Sequence, residues 1–369
     1  MKKMPIKKVI SALCCVVLIA SACAQAEDTL TIGSPLELQV VQRNQQDQAD
    51  VSISGVLQGT ADVIEARADL HAGFTRGEPV GWTAIAFQKD GRFAGKLTLK
   101  AGGWYSLSLR ARRGGKDIAE SKISMVGVGD VFVTAGQSNS ANFGKPKQQA
   151  KDKRVVYFNG KTFVPAKDPI PGGCGGGGSP WPLLGDQIAR SQQVPVCFRS
   201  ASLTWTEVKN WLPPETPLYK NLAACVGAFG KHGVRAVLWH QGESDSLAKT
   251  SAEAYCERLA TIIKSLNKDA GYAVPWFVAQ ASFHPGTKQP QEKQVAAGQQ
   301  LLWKREIAHQ GAVTDGLLGK KFRSDGVHFN QLGLTTHAAR WFVALAAEYQ
   351  WDAPAAKETD KRLPADGKG

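Results

Sequence analysis

The sequence predicts an α/β protein in two parts: a small all-β sandwich, then a three-layer α/β/α domain built on a parallel sheet. From about Thr29 to Val128, short and partly alternating apolar segments are separated by Gly, Asp and Asn, the pattern of half-buried strands joined by turns. After Gly129, compact apolar runs alternate with segments of helical period, which is how a parallel sheet covered on both faces reads. The 369 residues are enough for both parts.

In the first part, strands are expected at Leu36–Val41, Val51–Leu57, Phe93–Leu99 and Trp104–Arg110. Turns are expected at Gly102-Gly103 and at Arg113-Gly114-Gly115-Lys116. Asp62–Leu70 suits either a strand or a short helix. In the second part, Val131–Thr134 reads as a strand buried on both faces. Further strands are expected at Val194–Ser200, Val234–Trp239, Trp276–Ala281 and Ala312–Asp315. Helices are expected at Trp181–Ser191, Leu218–Lys231, Ala252–Asn267, Glu292–His309 and Gln331–Glu348, the last with Asn330 as its N-cap.

The termini read differently. Lys2, Lys3, Lys7 and Lys8 precede the short apolar run Val9–Ala20, and Ala24-Gln25-Ala26 has the form of a cleavage site. This predicts an export signal over residues 1–26 and a periplasmic or secreted protein, with lipid modification at Cys23 as a lesser alternative. The sandwich then spans 27–128 and the α/β/α domain 129–350, and 351–369 reads as a disordered tail rich in Pro, Ala and Lys. Without the signal, the formal net charge falls from +13 to about +9 and is scattered, so no nucleic-acid module is implied. Four of seven cysteines remain. In an oxidising compartment they predict two disulfides; three connectivities are possible, and the neighbour pairs Cys174–Cys197 and Cys225–Cys256 are favoured.

Three stretches carry chemistry. In Gly136-Gln137-Ser138-Asn139-Ser140 a serine directly follows an apolar strand. A serine hydroxyl is a poor nucleophile until a base takes its proton, and Ser140 stands where a G-x-S-x-G elbow would have its second glycine. In Ser324-Asp325-Gly326-Val327-His328 an acid and an imidazole lie three residues apart before the last helix, so the carboxylate can orient the ring as a general base. In His240-Gln241-Gly242-Glu243-Ser244-Asp245, polar residues crowd beyond another strand. All three stretches fall at the carboxyl ends of strands, where ligands bind in open α/β sheets.

Together, Gly136-Gln137-Ser138-Asn139, His240-Gln241-Gly242-Glu243 and Asp325-x-x-His328 resemble, in order, the SGNH hydrolases. The similarity is to their branch of sialate O-acetylesterase-like and acetyl-xylan-esterase-like carbohydrate esterases, and it covers roughly Val128 to Ala346. The resemblance implies a serine esterase that removes O-acetyl groups from a carbohydrate and needs no metal or cofactor. Ser138 would be the nucleophile, His328 the base and Asp325 its orienter. The oxyanion donors would be Ser138, Thr204 and Gln241, and Gln137, Asn139, Trp205, His240 and Glu243 would meet the substrate. One departure stands out: Thr204 or Trp205 occupies the place of a family glycine in Ser202-Leu203-Thr204-Trp205. Trp181, Trp205 and Trp211 offer flat faces to sugar rings or pack in the core. The Gly172–Gly178 run lacks the Gly-Lys-Ser/Thr of a phosphate loop. Two other readings compete: a non-catalytic glycan-binding protein, and a zinc peptidase using His240 and Glu243.

Overall fold

The structure, a computed structural model, describes residue 1, residues 27–74 and residues 76–351. Nearly all of the expected export signal and tail lies outside the described residues. Among those described, no helix is long and apolar enough to cross a membrane.

The first part holds strands β1 (Thr29–Ser34), β2 (Gln39–Gln42), β3 (Gln48–Gln58), β4 (Val63–Leu70), β5 (Val80–Ile85), β6 (Arg92–Lys100) and β7 (Trp104–Arg113). Strands β1, β3 and β6 form one antiparallel sheet. It packs over β4 and β7 through a core that includes Val51, Ile53, Leu97, Ile64, Ala66 and Leu107. The ambiguous Asp62–Leu70 segment is a strand, pairing β7 over its whole length. Its alternating burial shows why: every second side chain enters the sandwich core.

Strand β8 (Lys116–Gly136) joins the two parts. Its first half pairs β7 and is partly exposed; from Val126 onward every residue is buried. The boundary expected after residue 128 therefore falls inside one continuous strand. At the seam, the buried Asp130 carboxylate accepts from Arg43 at 3.0 and 2.9 Å and from the Arg235 Nε at 2.8 Å. Burial pushes this carboxyl up, but the two guanidiniums outweigh it and hold Asp130 below its ordinary range.

Beyond β8 come β9 (Val155–Phe158), β10 (Phe163–Pro165), α1 (Trp181–Gln192), β11 (Val196–Ser200), α2 (Pro217–Gly227), β12 (Ala236–His240), α3 (Glu243–Leu247), α4 (Ala252–Ala270), β13 (Trp276–Gln280), α5 (Gln289–Lys304), β14 (His309–Val313), α6 (Gly319–Phe322) and α7 (Gln331–Tyr349). The sheet order is β10-β9-β11-β8-β12-β13-β14, parallel except for β10. Phe132 of β8 packs in one layer with α1 and α7, through Trp181 and Trp341. Its neighbour Val133 packs in the other layer with α2, α4 and α5. The chain leaves β8 toward β9 and β11 on one side, then crosses to β12 on the other. The carboxyl end of β8 is thus a topological switch point.

Three expectations need correction here. The helix expected to reach His309 stops at Lys304: Glu306 takes a left-handed φ of 55° and reverses the chain, so His309–Val313 becomes a strand. The helix expected to reach Lys231 stops at Gly227. The expected disulfides do not form, and Cys174, Cys197, Cys225 and Cys256 are all free thiols. Their surroundings differ. Cys197 lies in a small cluster with Trp104 and Phe163, Cys225 in the layer under α4, and Cys174 in the glycine-rich loop against Thr204.

Candidate active site

The nucleophile candidate owes its position to one glycine. Gly136 ends β8 at φ 130°, and a Cβ there would lie 2.1 Å from the His240 carbonyl oxygen of β12. Only glycine lets the two strand ends approach so closely. The Gln137 N–H then donates to that carbonyl at 3.0 Å, and Ser138 opens a one-turn 3-10 helix, Ser138–Ser140. Ser140 anchors this turn: its hydroxyl donates to Ala135 O at 3.1 Å and its carbonyl accepts from the Trp181 indole at 2.8 Å. These contacts explain a serine where an elbow motif would have glycine.

The acid and the imidazole sit in the loop before α7. Gly326, at φ 87°, turns the loop back, and the Arg323–Phe329 bridge closes its base. The His328 Nδ1 lies 2.7 Å from Asp325 Oδ2, while Asp325 Oδ1 accepts the backbone N–H groups of Val327 at 2.9 Å and His328 at 2.7 Å. Partial burial raises the Asp325 carboxyl, but these hydrogen bonds outweigh it and bring it down to about 2. It is a carboxylate at neutral pH, suited to hold the ring with Nδ1 protonated and Nε2 free.

The serine and histidine segments touch. Phe143 stacks on the His328 ring with centroids 5.1 Å apart. The Lys145 N–H donates to Phe329 O at 2.9 Å. The Asn139 amide, one residue after Ser138, donates to Val327 O, one residue before His328, at 3.3 Å. Ser138 and His328 are not hydrogen-bonded to each other among the described residues. Catalytic hydrogen bonds are often loose without substrate.

Several expected roles change. Gln241 is fully buried, and its amide nitrogen lies 2.8 Å from Thr206 O and 2.7 Å from Asp245 Oδ2. Its carbonyl oxygen accepts from Tyr255. Both amide protons are thus committed, and Gln241 braces the loop rather than meeting an oxyanion. The Thr204 N–H donates to the Cys174 sulfur at 3.0 Å. His240 and Glu243 are buried, at 1% and 2% exposure, and do not reach a substrate. His240 Nε2 pairs with Thr314 Oγ1 at 2.9 Å, and burial, reinforced by the Arg323 charge, lowers the ring to about 3. Glu243 Oε1 accepts from Asn139 at 2.9 Å. With these two side chains turned to different partners, the zinc arrangement is not built. No group of three metal-ligating side chains gathers among the described residues.

Gln137 and Trp205 differ in exposure. Gln137 is buried, and its carbonyl oxygen takes the N–H groups of Ser244 at 3.2 Å and Gly242 at 3.4 Å, with the Gln241 amide nitrogen 3.3 Å away. Its own amide nitrogen has no partner among the described residues. Trp205 is 72% exposed at a left-handed φ of 57°, while Trp181 and Trp211 are core. The Trp205 turn is pinned beside the serine, since Leu203 N–H donates to Gly136 O at 2.9 Å. The His284 ring lies 6.1 Å from the indole. Sequence reasoning missed Phe143, His284 and Arg323. None sits in a recognisable spacing, and each reaches the site only through the fold.

No curated protein matches the chain. A carbohydrate acetylesterase from Xanthomonas citri is similar in structure, with a TM-score of 0.55 and 17% identity over 86% of this chain and 74% of that one. A family two carbohydrate esterase from Cellvibrio japonicus aligns over 88% of this chain and 99% of its own, with a TM-score of 0.38 and 9% identity. A protein from Arabidopsis thaliana aligns over 60% of this chain and 97% of its own, with a TM-score of 0.47 and 19% identity. The sequence model that matches residues 128–347, more than half of the chain, is that of the sialic acid-specific acetylesterases, and the protein belongs to this family of carbohydrate esterases.

Proposed function

We propose that this carbohydrate esterase is an exported enzyme that removes O-acetyl groups from a glycan through an acyl-enzyme on Ser138. His328 takes the serine proton as the oxygen attacks the ester carbonyl, and Asp325 holds the ring and stabilises the imidazolium. The sugar oxygen leaves with that proton. Water then attacks the acetyl-serine by the same route and releases acetate.

The oxyanion needs donors fixed before the reaction. The Ser138 N–H opens a helical turn, where such groups lack intrahelical partners. The Gln137 amide is oriented by the Gly242 and Ser244 N–H groups on its carbonyl. These two groups serve the oxyanion in this reading, and Trp205 stacks on a sugar ring beside the reacting ester.

The observation that carries the proposal is the 2.7 Å Asp325–His328 pair, tied through Asn139 to the residue beside Ser138. The test is acetate release from a panel of acetylated polysaccharides by wild type and Ser138→Ala. Release by wild type alone supports the reading. Equal release by both proteins, or glycan binding with no release from any member of the panel, overturns it.

A further inference from the structure

Glu243 and Asn139 form a buried pair directly behind the serine. The Asn139 amide nitrogen lies 2.9 Å from Glu243 Oε1 and 3.3 Å from Val327 O. The other two oxygens of the pair, Glu243 Oε2 and Asn139 Oδ1, are buried and have no partner among the described residues. Two buried acceptors left without a donor are costly, and a proton on the carboxyl turns one of them into a donor. A neutral carboxylic acid keeps an acceptor oxygen for the Asn139 amide and gains an O–H donor, where a carboxylate can only accept. The carboxyl is raised to about 7, mainly by burial, which favours that neutral form.

The Val327 carbonyl is the hub of this arrangement. It also takes a hydrogen bond from Arg323, whose Nε is held by Leu317 O at 2.7 Å and whose guanidinium covers Phe329 at 4.5 Å. Asn139 and Arg323 thus hold, from two sides, the carbonyl of the peptide that leads into His328. The Asn139 end of this clamp is also one residue from Ser138.

We infer that Glu243 is a positioning residue: as a buried carboxylic acid it locks the Asn139 amide, and Asn139 sets the His328 loop against the nucleophile. This rests on the esterase reading above. Misplacing a reacting group by about 1 Å costs on the order of 10²-fold in rate, and that is the scale expected here.

The experiment measures kcat and KM on a small acetyl ester, with thermal midpoints, for wild type, Glu243→Gln, Glu243→Ala, Asn139→Ala and the double alanine variant. Glu243→Gln, which imitates the neutral acid, keeps kcat within about threefold of wild type. Glu243→Ala loses on the order of 10²-fold in kcat with KM little changed. The double variant is no slower than Asn139→Ala, because both changes cut one chain of contacts. Additive losses, a loss in KM alone, or a Glu243→Gln variant that folds yet is as slow as Glu243→Ala would overturn the inference. Should the alanine variants fail to fold, Glu243→Gln against Asn139→Asp decides it. The gln variant must stay active, and the Asp variant, which removes the donor to Val327, must be slow. An inactive wild type would take down the esterase reading and this inference together. An active wild type, silenced by Ser138→Ala but indifferent to Glu243→Ala, would take down the inference alone.

Discussion

Asp325 holds His328 twice, through the ring at 2.7 Å and through the backbone N–H at 2.7 Å. One carboxylate therefore sets both the tautomer of the imidazole and the shape of the loop that carries it. Asp325→Asn separates these tasks. The amide oxygen can still accept the backbone N–H groups, but its NH2 cannot accept from Nδ1–H, so the ring turns to the wrong tautomer. We expect kcat to fall by about 10⁴-fold with a nearly unchanged KM. Steady-state kinetics on a small acetyl ester check this, and a loss under tenfold would remove Asp325 from the mechanism.

In the proposed reading Gln137, expected to meet the substrate, takes the oxyanion role that the resemblance gives Gln241, and alanine variants should show it. With Gln137 as the proposed oxyanion donor, Gln137→Ala should lower kcat by roughly 10²–10³-fold. Gln241→Ala takes the side-chain donor from Thr206 O and one of the donors from the buried Asp245 carboxylate, and leaves a void beneath the loop. It should cost about 2 kcal/mol or more of stability, seen as a lower denaturant midpoint. A Gln241→Ala protein of full stability but lost kcat would restore the original assignment.

How far the site could be read from the chain follows from this contrast. The position of Ser138 at a strand end and the pairing of Asp325 with His328 were legible because each lies in a short motif where local geometry dictates placement. The layered α/β/α order was legible for the same kind of reason: runs such as Val131–Thr134 and the period of Ala252–Asn267 report burial directly. Gln241 was misassigned because whether an amide is free depends on Thr206, Asp245 and Tyr255, which only packing brings to it. Glu306 ended a helix that its apolar neighbours Ile307 and Ala308 seemed to prolong. Four even cysteines suggested bridges, yet pairing depends on distances that the fold did not supply.

Trp205 provides a test of substrate class. A large indole held 72% exposed at a left-handed φ of 57° costs free energy that ordinary packing does not return. If it serves as a platform for a sugar ring, Trp205→Ala should raise KM on an acetylated polysaccharide by roughly tenfold, about the worth of one aromatic contact. The same variant should leave kcat/KM on a small aryl acetate within about twofold, because such a substrate carries no sugar ring to stack on the indole. Equal losses on both substrates would place Trp205 in the catalytic machinery rather than in glycan recognition.

Glu243 should also write itself into the pH dependence of stability. Its carboxyl ordinarily titrates near 4.5 and is raised to about 7 in the folded protein, chiefly by burial. Between these values the folded state binds the proton and the unfolded state does not, so stability falls as pH rises through the window and levels off above it. The span corresponds to an effect on the order of 3 kcal/mol. His240 works in the opposite sense: lowered to about 3 by burial, it makes the fold less stable as pH drops below 6.5. The contribution of Glu243 is therefore read as the difference between wild type and Glu243→Gln, in which His240 cancels. That difference, measured by denaturant unfolding from pH 4.5 to 8, should favour wild type increasingly toward acid and flatten above pH 7. A difference that is constant across the range would mean that Glu243 is already ionised in the folded protein at pH 5.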